Sequence, residues 1–141
     1  MNGRKVYLTR RYFFSASHRL HNPALSAEAN RETYGKCNHP HGHGHNYFLE
    51  VTVSGPISPD TGMLCDLRTL DEVISRQVLA RFEHCNLSSL SDFSEIVPTT
   101  ENLTLRVQQI LSQIELPAHL ETIRIEETSN NSFEYAAAPR R

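Results

Sequence analysis

Two stretches of strict alternation, one ending in a histidine and the other beginning with two, limit what this chain can become. From 6 to 18, Val6, Leu8, Tyr12, Phe14, Ala16 and His18 share one parity, opposed by Tyr7, Thr9, Arg11, Phe13, Ser15 and Ser17. From 43 to 54, His43, His45, Tyr47, Leu49, Val51 and Val53 oppose Gly44, Asn46, Phe48, Glu50, Thr52 and Ser54. A period of two belongs to extended chain, whose successive side chains leave opposite faces. Each stretch therefore predicts a strand with one apolar face, and in both the histidines continue that face. Antiparallel pairing sets the end of the first strand beside the start of the second. His18 is then brought toward His43 and His45.

Between these strands, residues 22–40 lose the alternation and collect Asn, Pro, Gly and Ser, which predicts a loop of functional length with Cys37 inside it. Gly55-Pro56 and Ser58-Pro59-Asp60 close the second strand. Leu67, Leu70, Ile74, Val78 and Phe82 then recur at helical spacing behind Asp66, a suitable N-cap, and predict a helix over 67–82. A second helix begins near Pro98-Thr99-Thr100-Glu101, where either threonine can cap. It carries Leu103, Val107, Ile110, Leu111 and Ile114 along one stripe, and Pro117 lies beyond it. Segments 120–128 and 132–136 around Ser129-Asn130-Asn131 predict a hairpin. The order is ββααββ, an α+β arrangement, and 141 residues are enough for a single domain over 1–141 with one core.

Composition narrows the function. Fourteen Lys plus Arg against sixteen Asp plus Glu leave a net charge of −2, too small a field to predict a nucleic acid or an acidic membrane as partner. No apolar run approaches the ~20 residues that cross a bilayer. The first residues are basic but alternate as a strand does, so no secretory or transit segment is read there. Three cysteines without a C-x-x-C predict free thiols in a reducing compartment, and hence a cytoplasmic protein. The unusual number is eight histidines, four of them between 39 and 45.

His43 and His45 leave the same strand face about two rises, or ~6.6 Å, apart and can lean toward one ion. Zinc held by three imidazoles keeps a fourth position open for chemistry, whereas a structural zinc is closed by four ligands. His18 is the candidate third ligand. The competing reading is a solvated tract that binds metal opportunistically; against it, this run enters a strand. His39 and His41 precede Gly42 and are read, like His21 and His119, as surface residues or occasional substrate contacts.

Cys37 lies six residues before His43, within reach of a metal-bound substrate, but its thiol needs a nearby cation to act as a base at neutral pH. Cys65 and Cys85 have no comparable setting. Glu83-His84 follows the first long helix, where an adjacent carboxylate and imidazole can relay protons or simply decorate a helix end. Glu127 shares a parity with Ile123 and Ile125, so it is predicted to face inward and to require a partner. A flat heterocycle with two adjacent N–H groups would satisfy both its oxygens.

Four motifs, F-S-A-S-H-R-L (14–20), G-K-C-N-H-P-H-G-H-G-H-N-Y (35–47), T-T-E-N (99–102) and E-T-S-N-N (127–131), resemble the 6-pyruvoyl-tetrahydropterin synthase family over nearly the whole chain. The resemblance implies zinc on His18, His43 and His45, Cys37 as the base, Glu127 as the anchor of a pterin ring, and a pterin pocket lined by Thr99, Thr100 and Glu101. It implies a relay at Glu83 and His84, with one departure, since the family has Asp where this chain has Glu83. The implied architecture is the T-fold: a four-stranded antiparallel sheet with two helices on one face, joined between subunits into a barrel. Two such rings stack, as a hexamer built from two trimers, with active sites at subunit boundaries.

The implied reaction is a lyase conversion of 7,8-dihydroneopterin triphosphate to 6-pyruvoyl-tetrahydropterin with loss of triphosphate. Zn2+ serves the site and Mg2+ accompanies the triphosphate, for which Arg10, Arg11, Arg19 and Lys36 are candidate contacts by charge and position. The alternative within the family is 6-carboxytetrahydropterin synthase of the 7-deazapurine (queuosine) route, on the same substrate. The spacing between Cys37 and His43, and the E-T-S-N-N stretch, favour the pyruvoyl product. A third reading, a zinc-binding oligomeric protein without turnover, predicts metal binding with no consumption of the triphosphate.

Overall fold

A computed structural model describes residues 4–136. The first alternating stretch forms β1 (Val6–His18) and the second β2 (His43–Gly55), paired antiparallel with His18 opposite His43 and Ala16 opposite His45. The hairpin forms β3 (His119–Thr128) and β4 (Asn131–Ala136), and the sheet runs in the order β1-β2-β3-β4 with every pair antiparallel. The inward parity is as read, with Phe14, Tyr47, Leu49, Val51, Ile123 and Ile125 fully buried. Departures lie at strand ends and at the bulge: Val6 remains 41% exposed on a strand edge, and Ser54 and Thr122 of the outward parity are buried.

Helix α2 (Leu67–Ile74) is capped by Asp66, whose side chain accepts from the Arg68 N–H; it continues through a π turn (Ser75–Leu79) into α3 (Ala80–Phe82). The π turn has a geometric reason. Leu70, Ile74, Val78 and Phe82 repeat every four residues, which an ideal α-helix would rotate by about 40° per step. One underwound turn takes out much of that drift, and all four side chains are fully buried against the sheet. Helix α4 (Thr100–Ser112) starts on Thr99, whose hydroxyl accepts from the Asn102 N–H, and buries Leu103, Val107, Ile110 and Leu111. These helices cover one face of the sheet, and the apolar residues of both layers form one cluster.

The expected loop over 22–40 contains a helix, α1 (Ala27–Tyr34), followed by a 3-10 turn (Gly35–Asn38), so the element order is βαβααββ with α1 added to the predicted set. Hydrophobic periodicity cannot reveal α1 because its one buried residue is polar, Asn30. Hydrogen bonds hold it instead. The Asn30 amide accepts from the Asn22 N–H at 2.7 Å and donates to the carbonyls of Asn22 at 2.9 Å and Ser26 at 3.0 Å. Ser26 caps its start and Gly35 closes its end by donating to Arg31 O.

The uncovered face of the sheet carries a charge ladder. Arg11 reaches Glu50 at 3.5 Å and Glu126 at 3.4 Å, and Arg124 meets Glu50 at 3.0 Å. No described helix is long and apolar enough to cross a membrane. The three cysteines are free.

Candidate active site

The β1–β2 register delivers the histidines. His18 ends β1 at 1% exposure, and His43 and His45 begin β2, with one ring nitrogen of each lying within 4.8 Å of the others. Gly42 makes this approach possible. Its φ is +72°, and a Cβ there would lie 2.7 Å from the carbonyl oxygen of His18. Only glycine lets the incoming loop pass so close to the end of β1.

The tautomer of His18 follows from its surroundings. Its Nδ1 lies 2.7 Å from Pro98 O; a carbonyl only accepts, so Nδ1 carries the proton and Nε2 turns a lone pair toward the cluster. Nε2 is 3.1 Å from Nε2 of His43. Two nitrogens bound tetrahedrally to one zinc at ~2.05 Å would stand roughly 3.3 Å apart, so the pair fits a shared ion. Burial pushes the His18 imidazole below its ordinary value, and His43 and His45 add to this against the opposing pull of the Pro98 bond and Glu127. Burial lowers His45 too. Neutral imidazoles are the form that binds metal.

Glu127 closes the site from β3. The ladder to β4 slips there, with Glu126 opposite Ser132 and Thr128 opposite Asn131, which leaves Glu127 as the extra residue of a bulge. Its Oε2 lies 3.8 Å from His45 Nε2 and 4.0 Å from His18 Nε2. The Thr100 hydroxyl donates to Oε2, and Asn131 Nδ2 donates to Oε1 at 3.1 Å. Burial alone would raise the Glu127 carboxyl, but these hydrogen bonds and the nearby imidazoles outweigh it, so it sits below the ordinary range as a carboxylate.

Cys37 occupies the 3-10 turn, which is tied to the segment just after His18 because its carbonyl accepts from the Leu20 N–H at 2.8 Å. Its thiol is not activated within the chain: burial pushes it up, and the negative charge of Glu127 adds to this. Glu83 and His84 are exposed past the end of α3. His84, at φ +59°, donates its N–H to Ser15 O at 2.6 Å on the edge of β1 and lines a cleft of about 600 Å³ with Ser17, His45 and Asn46. Among the described residues no hydrogen bond or ion pair joins Glu83 or His84 to Cys37, so one chain does not assemble the expected relay.

Of the T-T-E-N residues, Thr99 caps α4, Thr100 is 1% exposed and bonded to Glu127, and Glu101 is exposed on the first turn, where a carboxylate complements the helix dipole. Of the arginines considered for phosphate, Arg10 forms a two-bonded pair with Asp71 at 2.8 and 3.0 Å, and Arg11 belongs to the charge ladder. Three supporting groups escape a reading by residue type. Pro98 acts through its carbonyl; Asn131 lies within the quoted E-T-S-N-N; and the ring of buried Tyr47 packs 5.6 Å from His45 and 6.4 Å from His18. The last was visible as the next inward position after His45.

Residues 7–138 match the family model for 6-pyruvoyl tetrahydropterin synthase. A 6-pyruvoyl tetrahydrobiopterin synthase of Poecilia reticulata is 47% identical over 131 residues, covering 92% of this chain and 88% of that protein. One of Drosophila melanogaster is 44% identical over 132 residues, covering 92% and 79%. The solved 6-pyruvoyl tetrahydropterin synthase of Caenorhabditis elegans superposes with a TM-score of 0.89 at 38% identity, covering 98% of this chain and 99% of that one. With its T-fold sheet, its three clustered imidazoles and this breadth of similarity, the chain belongs to the 6-pyruvoyl tetrahydropterin synthase family.

Proposed function

We propose that this protein is a zinc-dependent carbon–oxygen lyase that converts 7,8-dihydroneopterin triphosphate to 6-pyruvoyl-tetrahydropterin with loss of triphosphate. The observation that carries the reading is the cluster of three imidazole nitrogens with a bonded carboxylate 3.8 and 4.0 Å from two of them, those of His45 and His18: a candidate metal-binding cluster beside an anchor for a flat N–H donor. The names of the relatives support the pyruvoyl product over the carboxy one.

His18, His43 and His45 would hold Zn2+, which supplies a Lewis acid that polarises the side-chain oxygens of the substrate. Glu127 accepts two N–H bonds from the pterin ring. Thr100 and Asn131 fix both its oxygens, so it meets the ring already oriented. Thr99 and Glu101 complete the wall at the start of α4. Cys37 moves protons to and from the side-chain carbons. Its thiol ionises only when positive charge brought beside it offsets its burial and the charge of Glu127. Because Glu83 and His84 do not meet Cys37 within one chain, the relay is completed between subunits.

Association has a physical motive. The start of β1 and the whole of β4 are sheet edges, and Tyr7 and Phe13 of β1 are 60% and 48% exposed. Joining such edges into a closed barrel removes their unpaired backbone groups, in keeping with a homo-oligomer built as a dimer of trimers. The domain acts in the cytoplasm, where free thiols and a Mg2+-bearing triphosphate persist.

Purified protein with measured zinc content, incubated with 7,8-dihydroneopterin triphosphate, should release triphosphate and yield a product of the pyruvoyl mass. Full zinc occupancy with an unconsumed substrate would overturn the lyase reading, and a carboxy product would overturn the choice of product.

A further inference from the structure

A hydroxyl is buried beneath the histidines where packing asks for none. Tyr47 is the next inward residue of β2 after His45 and is fully buried. Its ring stacks on Phe14, with centroids 5.1 Å apart and planes 19° from parallel, and meets the His45 ring at 5.6 Å. The other buried aromatic residues of the apolar cluster are Phe14, Phe82 and Phe93, none of which carries a polar atom on its ring. The Tyr47 oxygen is shut off from solvent and has no hydrogen-bond partner among the described residues. A buried O–H in that state opposes folding, and phenylalanine would fill the same space without it.

The matching acceptor is close by. Thr100, also buried, opens α4 and gives its hydroxyl proton to Glu127 Oε2. A hydroxyl that donates still has two lone pairs, and among the described residues no group donates to Thr100 Oγ1. The Thr104 hydroxyl, one turn on, donates at 2.7 Å to the Thr100 carbonyl instead. The Thr100 hydroxyl and the charge of Glu127 both act on the Tyr47 phenol, yet phenol and hydroxyl are not in hydrogen-bonding geometry. A donor without an acceptor thus adjoins an acceptor without a donor, and the acceptor is the residue that holds the carboxylate.

We propose that Tyr47 is a positioning residue for the ring anchor: its hydroxyl closes onto Thr100 Oγ1 when a flat N–H donor engages Glu127, completing a chain from Tyr47 O–H through Thr100 O–H to Glu127 Oε2. A bound ring excludes water from the carboxylate, and in the lower dielectric that results each donor aimed at it interacts more strongly. Bonds that are open in a ligand-free site tighten in the complex for this reason. Each hydroxyl in such a chain polarises the next, which strengthens the final bond to Oε2. Asn131, exposed, holds Oε1 from the outside, while the chain holds Oε2 from the core. Because the first link forms with the ligand, the phenol contributes to affinity and not to stability. That the ligand is a pterin rests on the lyase reading above.

The test uses the zinc-loaded full chain, with 7,8-dihydroneopterin, which lacks the phosphates, as the calorimetric probe. Tyr47→Phe removes one oxygen. Without ligand its denaturant midpoint should be unchanged or higher, because no bond of the free protein is lost. Its affinity for the probe should fall roughly three- to tenfold, the worth of one hydrogen bond. KM for the pterin triphosphate should rise by a similar factor, with kcat and zinc content retained. The same loss should appear in a Thr100→Ser background, which keeps the hydroxyl, and vanish in Thr100→Val, which removes it. Unchanged probe affinity in Tyr47→Phe, or an equal loss in Thr100→Val, overturns the chain. A lower denaturant midpoint shows the phenol already bonded in the free protein and overturns its closing on ligand. If the wild type binds the probe and the loss tracks the Thr100 hydroxyl, yet no pterin triphosphate is consumed, the chain stands and the lyase reading falls; a wild type that binds no probe overturns both.

Discussion

Replacing Gly42 with alanine isolates the contact on which the metal cluster depends. Two costs combine at this position. An L-residue at φ +72° costs about 1–2 kcal/mol relative to glycine. The new Cβ would also stand 2.7 Å from His18 O, so backbone must move by several tenths of an ångström, and overpacking of this kind adds roughly 1–3 kcal/mol. Gly62→Ala supplies the control, because Gly62 has φ +73° with nothing within 4 Å of its added Cβ. Gly62→Ala should therefore lose about 1–2 kcal/mol and Gly42→Ala about 2–5 kcal/mol in denaturant unfolding of the metal-free protein. The displacement carries His43 away from His18, so zinc affinity by competition with a chelator should fall roughly 10–100-fold for Gly42→Ala, in the range seen when ligand orientation is lost. It should not change for Gly62→Ala. Equal unfolding free energies and equal zinc affinities in the two variants would refute the claim that this close approach sets the cluster.

His43→Ala or His45→Ala should abolish stoichiometric zinc by metal analysis, whereas His41→Ala should leave one ion per chain. Glu127→Gln keeps the shape but removes the charge and replaces one of the two acceptor oxygens offered to the pterin by a donor; pterin affinity measured by calorimetry on zinc-loaded protein should drop by roughly 2–4 kcal/mol. Asp92, whose side chain is 4% exposed, accepts from Arg106 at 2.6 Å and Arg81 at 2.9 Å; burial pushes its carboxyl up, but these bonds outweigh it and hold it below the ordinary range. Because the folded value is the lower one, its contribution is complete above the unfolded value of ~3.9 and is lost as pH falls through the folded one. Asp92→Asn should cost roughly 1.5–3 kcal/mol at pH 7 and flatten the fall of stability with acid, read from unfolding curves between about pH 6 and 2.

What the sequence could show depended on how each element is held. β1 and β2 were legible to their ends because a half-buried strand advertises itself by alternation, and their register then followed from which ends carried histidine. Helix α4 was legible from its threonine cap and its stripe. Helix α1 was not, because it is fastened by the amide of Asn30 and by its caps, and hydrogen-bonded polar residues leave no period in hydropathy. The π turn was hidden for the opposite reason. The four-residue repeat from Leu70 to Phe82 reads as helix, and only arithmetic on its drift reveals that one turn must be underwound to keep all four side chains on the sheet.

The functional residues divide along the same line. Residues on regular elements could be aimed by parity: His18, His43, His45 and Glu127 all face inward as expected, and the bulge that frees Glu127 from the β4 ladder leaves its direction unchanged. Residues on irregular segments could be named but not placed, and there the structure alters the chemistry. Cys37 was expected to need a cation, yet inside one chain it faces Glu127 and burial, both of which keep the thiol protonated. His84, held at positive φ by its N–H bond to Ser15 O, stands on the edge of β1. A base that its own subunit keeps protonated, and an imidazole displayed on a strand edge where a second subunit can meet it, have one simple reconciliation. If Cys37 and His84 are relay partners, as proposed, assembly between subunits is what brings them together. Mixing inactive Cys37→Ala and His84→Ala proteins under conditions that exchange subunits should then restore part of the activity, because some boundaries pair an intact Cys37 with an intact His84. Mixtures that exchange subunits, retain zinc and stay inactive would place the whole relay within one chain.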